Sequence, residues 1–368
     1  MKITGLIILC SFSVFFFSCK QEKKPDESIH GTWITNVASD ALMSKENIKK
    51  TIANCKKNGL NNIYVVVWHN GKTMYPSKVV EKYTGVLQDS VYQGLDPIKE
   101  IVEEGHKAGL KVHAWFEFGF SYVYNDSNSV WLKKYPDWAG RNNEGALLQK
   151  NNFFWWSGIN PEVQAFMKEL VTEVVSNYDV DGIQGDDRLP AMPVEGGYDD
   201  YTSKLYADQH NGEAPPKNFR DSAWLQWRAD QLSNFGESLF RSVKKIRADC
   251  IVSWAPGIFP WSKEEYLEDW PKWLANGYAD YVIPQLYRYK AEDYEKIVKE
   301  LNTQIPDHLK QKIIPGILTS LGNGYQASPS LIDSITGLNS KYGFKGEVFF
   351  YYESLNRLPA GLFNYRAE

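Results

Sequence analysis

From Gly31 onward, short apolar, β-branched and aromatic runs alternate with longer stretches in which apolar positions recur every three to four residues. These are the periodicities of buried strands and amphipathic helices. Eight strands are expected at 32–37, 62–68, 111–117, 182–186, 251–255, 281–286, 313–318 and 346–352. Seven helices are expected between them, at 45–58, 97–108, 161–177, 222–247, 263–276, 291–302 and 330–341. Boundary chemistry agrees with the spacing: Asn160-Pro161 sets a capping side chain before a first-turn proline, and Gly109 and Gly277 follow helical runs where a left-handed residue closes the last turn. Repeated strand and helix units in this number predict an α/β fold, a single-domain (β/α)8 TIM barrel over 29–368 with a short, irregular closing helix.

The segments after strands two, three and four are long, at 70–96, 118–160 and 188–221, whereas those entering strands are short. In such a barrel the strand-to-helix loops build the catalytic face. They carry Trp131, Trp138, Trp155, Trp156, Tyr198 and Tyr201, whose flat rings are expected to hold an extended, ring-shaped ligand.

The N-terminus reads as a targeting segment. Lys2 precedes an apolar stretch at 7–17 that is short for a bilayer span and ends at Ser18-Cys19, so 1–18 is expected to be a signal peptide. A Cys directly after a small residue resembles a bacterial lipobox, with Phe16 where Leu is usual. The expectation is a lipid anchor on Cys19 followed by a charged, proline-containing tether at 19–28, with a plain cleaved signal or a membrane anchor as alternatives. Cys55 and Cys250 are the other thiols of the mature chain, either one disulfide or two buried free thiols.

Charge is nearly balanced, 41 basic against 45 acidic residues without a basic stripe, which argues against nucleic acid as a partner. There is no glycine-rich phosphate loop with Lys-Ser or Lys-Thr, no Gly-x-Ser-x-Gly and no His-Glu-x-x-His, and six scattered His lack ligand spacing. No cofactor or metal is expected.

Acids at the strand ends carry the candidate chemistry. Asp186 and Asp187 close strand four in Asp181-Gly-Ile-Gln-Gly-Asp-Asp, Glu117 follows His113-Ala-Trp-Phe, and Glu353 ends Tyr351-Tyr352-Glu353. Cleaving a glycosidic bond needs one carboxylic acid for the leaving oxygen and a second carboxylate as nucleophile or base. Neighbours on a regular strand point to opposite faces, so one of Asp186 and Asp187 is expected to act and the other to support it. Glu117 or Glu353 would be the partner, and Arg188 and Arg288 are possible ion-pair partners of these acids. His113 and Trp115 share parity with Glu117; with Trp68, Trp254, Gln285, Tyr287 and Tyr351 they are candidate substrate contacts, core packing being the alternative for each.

Taken in order, Gly31-Thr-Trp-Ile, Val67-Trp-His-Asn-Gly with Tyr75-Pro-Ser, His113-Ala-Trp-Phe, Asp181-Gly-Ile-Gln-Gly-Asp-Asp, Trp254-Ala-Pro-Gly, Pro284-Gln-Leu-Tyr and Tyr352-Glu-Ser-Leu resemble the glycosyl hydrolase-like 10 family across about 29–358. The resemblance implies a (β/α)8 barrel glycosidase, in a group with bacterial members that look like enzymes cutting peptidoglycan glycan strands without stem peptides. It matches Asp186 and Asp187 to the family's paired acids, Gln285 and Tyr287 to its strand-six pair, and Glu353 to its terminal Glu. Glu117 departs from the pattern, standing where many members have Asn, and Arg188-Leu-Pro lacks the aromatic residues common after the paired acids. The expectation is an exported, lipid-anchored glycoside hydrolase of the cell envelope. A non-catalytic glycan-binding lipoprotein, or a hydrolase of dietary or host polysaccharide, is the alternative.

Overall fold

In the computed structural model, which describes residues 28–322 and 324–357, eight parallel strands follow one another around a ring. They are β1 (Ile29–Ile34), β2 (Asn62–Val66), β3 (Lys111–Phe116), β4 (Gly182–Asp186), β5 (Ile251–Ala255), β6 (Tyr281–Val282), β7 (Gly316–Leu318) and β8 (Gly346–Phe350). Their spatial order is β6-β5-β4-β3-β2-β1-β8-β7. Parallel bridges from Val282 to Ile313 and from Gln285 to Gly316 join the two ends and close the barrel. The expected fold is the one observed, with strands six and seven shorter than the hydrophobic runs that announced them.

The helices that alternate with these strands pack outside, among shorter ones: α1 (Lys45–Lys57), α2 (Pro97–Lys107), α3 (Pro161–Asn177), α4 (Ser222–Ile246), α5 (Trp270–Ala275), α6 (Ala291–Gln304) and α7 (Pro329–Lys341). Several start where a side-chain oxygen takes an orphan amide of the first turn, Ser44 from Asn47, Asp96 from Lys99, Asn160 from Glu162 and Ser328 from Leu331. The single helix expected at 263–276 is two, Trp261–Tyr266 and α5. Leu267 turns left-handed at φ 63°, and Pro271 could neither donate to nor fit against a preceding turn. After β8 the chain makes one 3-10 stretch, Tyr352–Asn356; the rest of the expected closing helix, like Cys19 and the leader, lies outside the described residues. No described helix is long and apolar enough to cross a membrane. Cys55 and Cys250 are free and buried.

The barrel interior is unusually polar. Tyr64 and Tyr281 share a hydroxyl hydrogen bond at 3.0 Å, His113 stacks on Tyr64 and bonds Asn62 at 2.9 Å, and the Trp33 indole donates to Gln184 at 2.7 Å. These bonds satisfy much of the buried polar surface inside the ring, whereas His113 Nδ1 and Trp115 Nε1 have no partner among the described residues.

The long segment between β3 and α3 forms a core of its own. Trp131, Trp138 and Trp156 pack with Trp68 and Phe166 at ring separations of 4.9 to 6.2 Å. A three-stranded antiparallel sheet, Ser121–Tyr124, Gln149–Lys150 and Phe153–Trp155, lies over them. This corrects the expectation that these loop rings hold a ligand. Trp131, Trp138, Trp155 and Trp156 are at most 2% exposed, and Tyr198 spends its hydroxyl on Pro216 and the Trp224 indole. Only Tyr201 of the six is open.

Candidate active site

At the C-terminal mouth, β3 and β4 end side by side, Phe116 opposite Gly185, so Glu117, Asp186 and Asp187 converge. Strand pairing stops at Asp186, and the alternation that would send Asp187 to the other face stops with it. Both acids therefore face one cation. Arg188 Nη2 lies 2.8 Å from Asp186 Oδ2 and 3.9 Å from Glu117 Oε1, while Nη1 lies 3.0 Å from Asp187 Oδ1, an ion pair off the angle of a hydrogen bond. Arg188 Nε donates to the Glu117 carbonyl at 2.9 Å, and the guanidinium covers the Phe153 ring at 4.9 Å. Asp186 Oδ1 accepts from Gln285 Nε2 at 3.1 Å, and Glu117 Oε2 accepts from Thr35 at 3.2 Å.

Gly119 makes this meeting possible. It sits at φ +47° directly against the Arg188 carbonyl, and the next amide, Phe120 N–H, donates to that carbonyl at 2.8 Å. A Cβ at 119 would occupy the carbonyl's place, so the β3 and β4 loops approach this closely only at a glycine.

Burial and mutual repulsion set the charges. Burial raises the Glu117 carboxyl to about 7, against the pull of Arg188. Burial, then the charge of Asp187, lifts Asp186 well above the usual carboxylate range. The two differ in access: the Asp187 side chain is 32% exposed and that of Asp186 5%. Beside Glu117 opens a hollow of about 650 Å³, walled by Thr35, His69, Phe118, Phe153, Phe350 and Tyr351 among others. Glu117 is the one acid of the three that lines it.

Of the remaining expected residues, Gln285 belongs to the cluster, Tyr351 lines the hollow, and Tyr287 lies close enough that burial and the charge of Asp186 both raise its phenol. Others are held elsewhere. Glu353 accepts from Ser39 at 2.7 Å and from Asn356 at 3.0 Å, beyond the end of β8 and apart from the acid cluster. His113 shares the inward face with Glu117 but stands four residues lower, about 13 Å down the strand, where burial drops its pKa to about 4. Trp115 lies one layer beneath Glu117 and is 1% exposed. Trp68 and Trp254 spend their indole N–H groups on the carbonyls of Gly119 and Tyr278 and are at most 1% exposed. None of these four rings is open at the mouth. Arg288 donates to the Tyr287 carbonyl instead of an acid.

Sequence reading missed Thr35, His69 and Glu268. Thr35 and His69 stand at strand ends, a signal parity could have used. Glu268 had none, because the turn that buries it was read as helix. Its side chain is 0% exposed, one oxygen accepts the Gly257 amide at 3.2 Å, and the other has no partner among the described residues. Burial, then the nearby charge of Asp187, raises its carboxyl well above the usual range. No described group of three or more His, Cys, Asp or Glu side chains is arranged to hold a metal ion. A cation's place among the acids is taken by Arg188.

Known proteins resemble this chain in sequence and in fold. The sequence model of the family described as glycosyl hydrolase-like 10 matches residues 28–333. The chain belongs to the glycosyl hydrolase-like 10 family. It is 22% identical over 377 residues to the glycosyl hydrolase YngK of Bacillus subtilis (strain 168), covering 92% of this chain and 70% of that protein. To the glycosyl hydrolase DigH of Escherichia coli (strain K12) it is 24% identical over 279 residues, 69% of this chain and 60% of DigH. Among solved structures, the glycoside hydrolase domain of PgaB (BpsB) from Bordetella bronchiseptica superposes with a TM-score of 0.65 at 13% identity, covering 90% of this chain and 95% of that one. As a glycosyl hydrolase-like 10 member the chain thus shares its barrel fold with that glycoside hydrolase domain.

Proposed function

We propose that this chain is a glycoside hydrolase that cleaves O-glycosidic bonds by carboxylate acid and base chemistry. One observation carries the reading: a single guanidinium gathers three carboxylates from two adjacent strand ends beside a hollow. Glu117, titrating near 7, is suited to protonate the leaving oxygen. Asp187, the most exposed acid of the three, is the partner, as nucleophile or base on the sugar or as the group that orients a neighbouring acetamide. Asp186, hydrogen-bonded to Gln285 and Arg188, supports it. Because Glu117 and Asp187 approach two nitrogens of one guanidinium, they lie within the about 9.5 Å that inverting pairs span.

The substrate proposed is the denuded glycan strand of peptidoglycan, and the protein is proposed to be exported and lipid-anchored at Cys19. The apolar stretch at 7–17 ending at Ser18-Cys19 supports the second claim, and the family relationship supports the first. The test is to incubate the soluble domain with denuded strands and with a panel of plant and host glycans, then identify released ends by mass. Release from denuded strands, lost in Asp187→Asn, is the expected result. Release only from a plant or host glycan transfers the activity to that polymer. Binding without release by the unaltered protein would make it a glycan-binding lipoprotein.

A further inference from the structure

Among the described residues, the aromatic rings most open to solvent are Tyr124, Tyr201, Trp261 and Tyr289, at 43, 40, 48 and 60% exposure. All four stand on the mouth-side segments that follow β3, β4, β5 and β6. Open aromatic surface is thus confined to one face of the barrel, the face that carries the acids.

Two of these rings bracket the acid cluster. β3 and β5 lie on either side of β4 in the sheet, so Tyr124 and Trp261 rise from opposite flanks of the strand that ends in Asp186. On one flank the Tyr124 ring lies 5.0 Å from Phe153, whose face the Arg188 guanidinium covers, and Tyr124 walls the hollow beside Glu117. On the other flank the Trp261 ring lies 5.5 Å from Tyr266, whose phenol is raised by burial and by the charge of Asp187. Asn151 spans the gap, donating to the Tyr266 hydroxyl at 3.1 Å from the loop that carries Phe153. Each open ring is therefore one ring removed from the ion-paired core. Gly257 seats the indole: a Cβ there would press within 2.9 Å of it.

We propose that Tyr124 and Trp261 are stacking platforms for sugar rings on either side of the scission point, so that the substrate is an extended glycan lying across the end of β4. The proposal rests on the glycoside-cleaving reading and adds to it the length and path of the substrate. Apolar sugar faces laid on an indole or phenol remove from water the surface these rings now expose, while the ring hydroxyls stay solvated.

The test uses Trp261→Ala, Tyr124→Ala and the double variant in the full chain, with denuded peptidoglycan strands fractionated by length as probe. Both positions are exposed, and unchanged thermal unfolding checks that the fold is kept. On long strands KM should rise on the order of tenfold for each single variant, and further in the double variant, with kcat within about twofold. On the shortest cleavable fragments the rise in KM should be clearly smaller than on long strands. Unchanged KM on long strands, or equal loss on short and long ones, overturns the proposal. A co-sedimentation arm separates it from the hydrolase reading: Asp187→Asn protein is spun down with insoluble denuded strands, with and without Trp261→Ala. Binding that depends on Trp261, in a protein whose unaltered form cleaves nothing, keeps the platforms and sinks the hydrolase. Cleavage with Trp261-independent binding sinks the platforms alone, and neither binding nor cleavage sinks both.

Discussion

The guanidinium of Arg188 sits 2.8 Å from the carboxylate of Asp186, two residues earlier in the chain, and the same group reaches Asp187 and Glu117. One positive charge cannot balance three negative ones in a site this dry. Protons must remain on the acids, which is why Glu117 and Asp186 are both shifted upward despite a cation at contact distance.

Replacing Arg188 by Met should remove that balance. Breaking a buried ion pair on one side costs about 3 to 5 kcal/mol, so urea unfolding should shift by that order. Glu117 should then titrate above 7, since Arg188 is what pulls it down. Arg188→Lys keeps the charge but not the planar fork, and its stability should fall between the two.

Glu117→Gln should abolish most turnover, and its absence should be visible in the pH profile. A general acid must be protonated, so activity of the unaltered protein should decline as pH rises through about 7. Stability carries the same signature. Because the folded pKa lies above the unfolded 4.5, the proton's contribution is complete below 4.5 and lost as pH rises through 7, about 3 kcal/mol in all. Relative to the native chain, the Gln variant should gain that much stability between pH 4 and pH 8, measured by denaturant titration at each pH.

The two strand-four acids should separate. Asp187→Asn should cut turnover by about 10²- to 10⁴-fold while leaving glycan binding in place. Both Asp186 oxygens accept hydrogen bonds, from Arg188 and from Gln285, so Asp186→Asn turns an N–H towards one of these donors and should cost about 1 to 3 kcal/mol of stability while losing less activity than Asp187→Asn. Equal losses in the two would mean that the exposure difference between them has no bearing on their roles.

Gly119→Ala should act at a distance from its own chemistry. Its new methyl would meet the Arg188 carbonyl at a positive φ, pushing the β3 and β4 loops apart. The expected result is lowered thermal stability together with a larger fall in kcat than an Ala at Gly85, where the added carbon meets nothing.

The eight-strand count was legible because most of the parallel strands are short runs rich in apolar, β-branched and aromatic residues set off by amphipathic helices, β4 with its Gly-Ile-Gln-Gly-Asp being the exception. The paired acids and Glu117 were legible for a related reason, since a carboxylate directly after such a run falls at the mouth. What the pattern cannot carry is depth. Glu117, Trp115 and His113 share a face, yet only the first clears the barrel's interior. Nor does it say which aromatic residues are open: Trp131, Trp138, Trp155 and Trp156 read like ligand platforms and are instead the core of their own loop, whereas Trp261 was read two residues short of a helix. Glu268 stayed hidden because Leu267 takes a conformation that Leu rarely adopts.

Glu353 provides a check on proximity. Although it resembles the family's terminal acid, its oxygens are engaged by Ser39 and Asn356. Glu353→Gln should leave kcat within about twofold, with a stability cost near 1 kcal/mol. A loss comparable to that of Asp187→Asn would place it in the chemistry after all.

The tryptophan-rich core between β3 and α3 also bears on how a ligand arrives. A bare loop of that length would be a lid, folding over its guest and surrendering entropy each time. With its own sheet and interlocked indoles, this segment is ordered before anything binds. The wall of the hollow beside Glu117 therefore stands before a ligand arrives, and binding there carries no cost for ordering it.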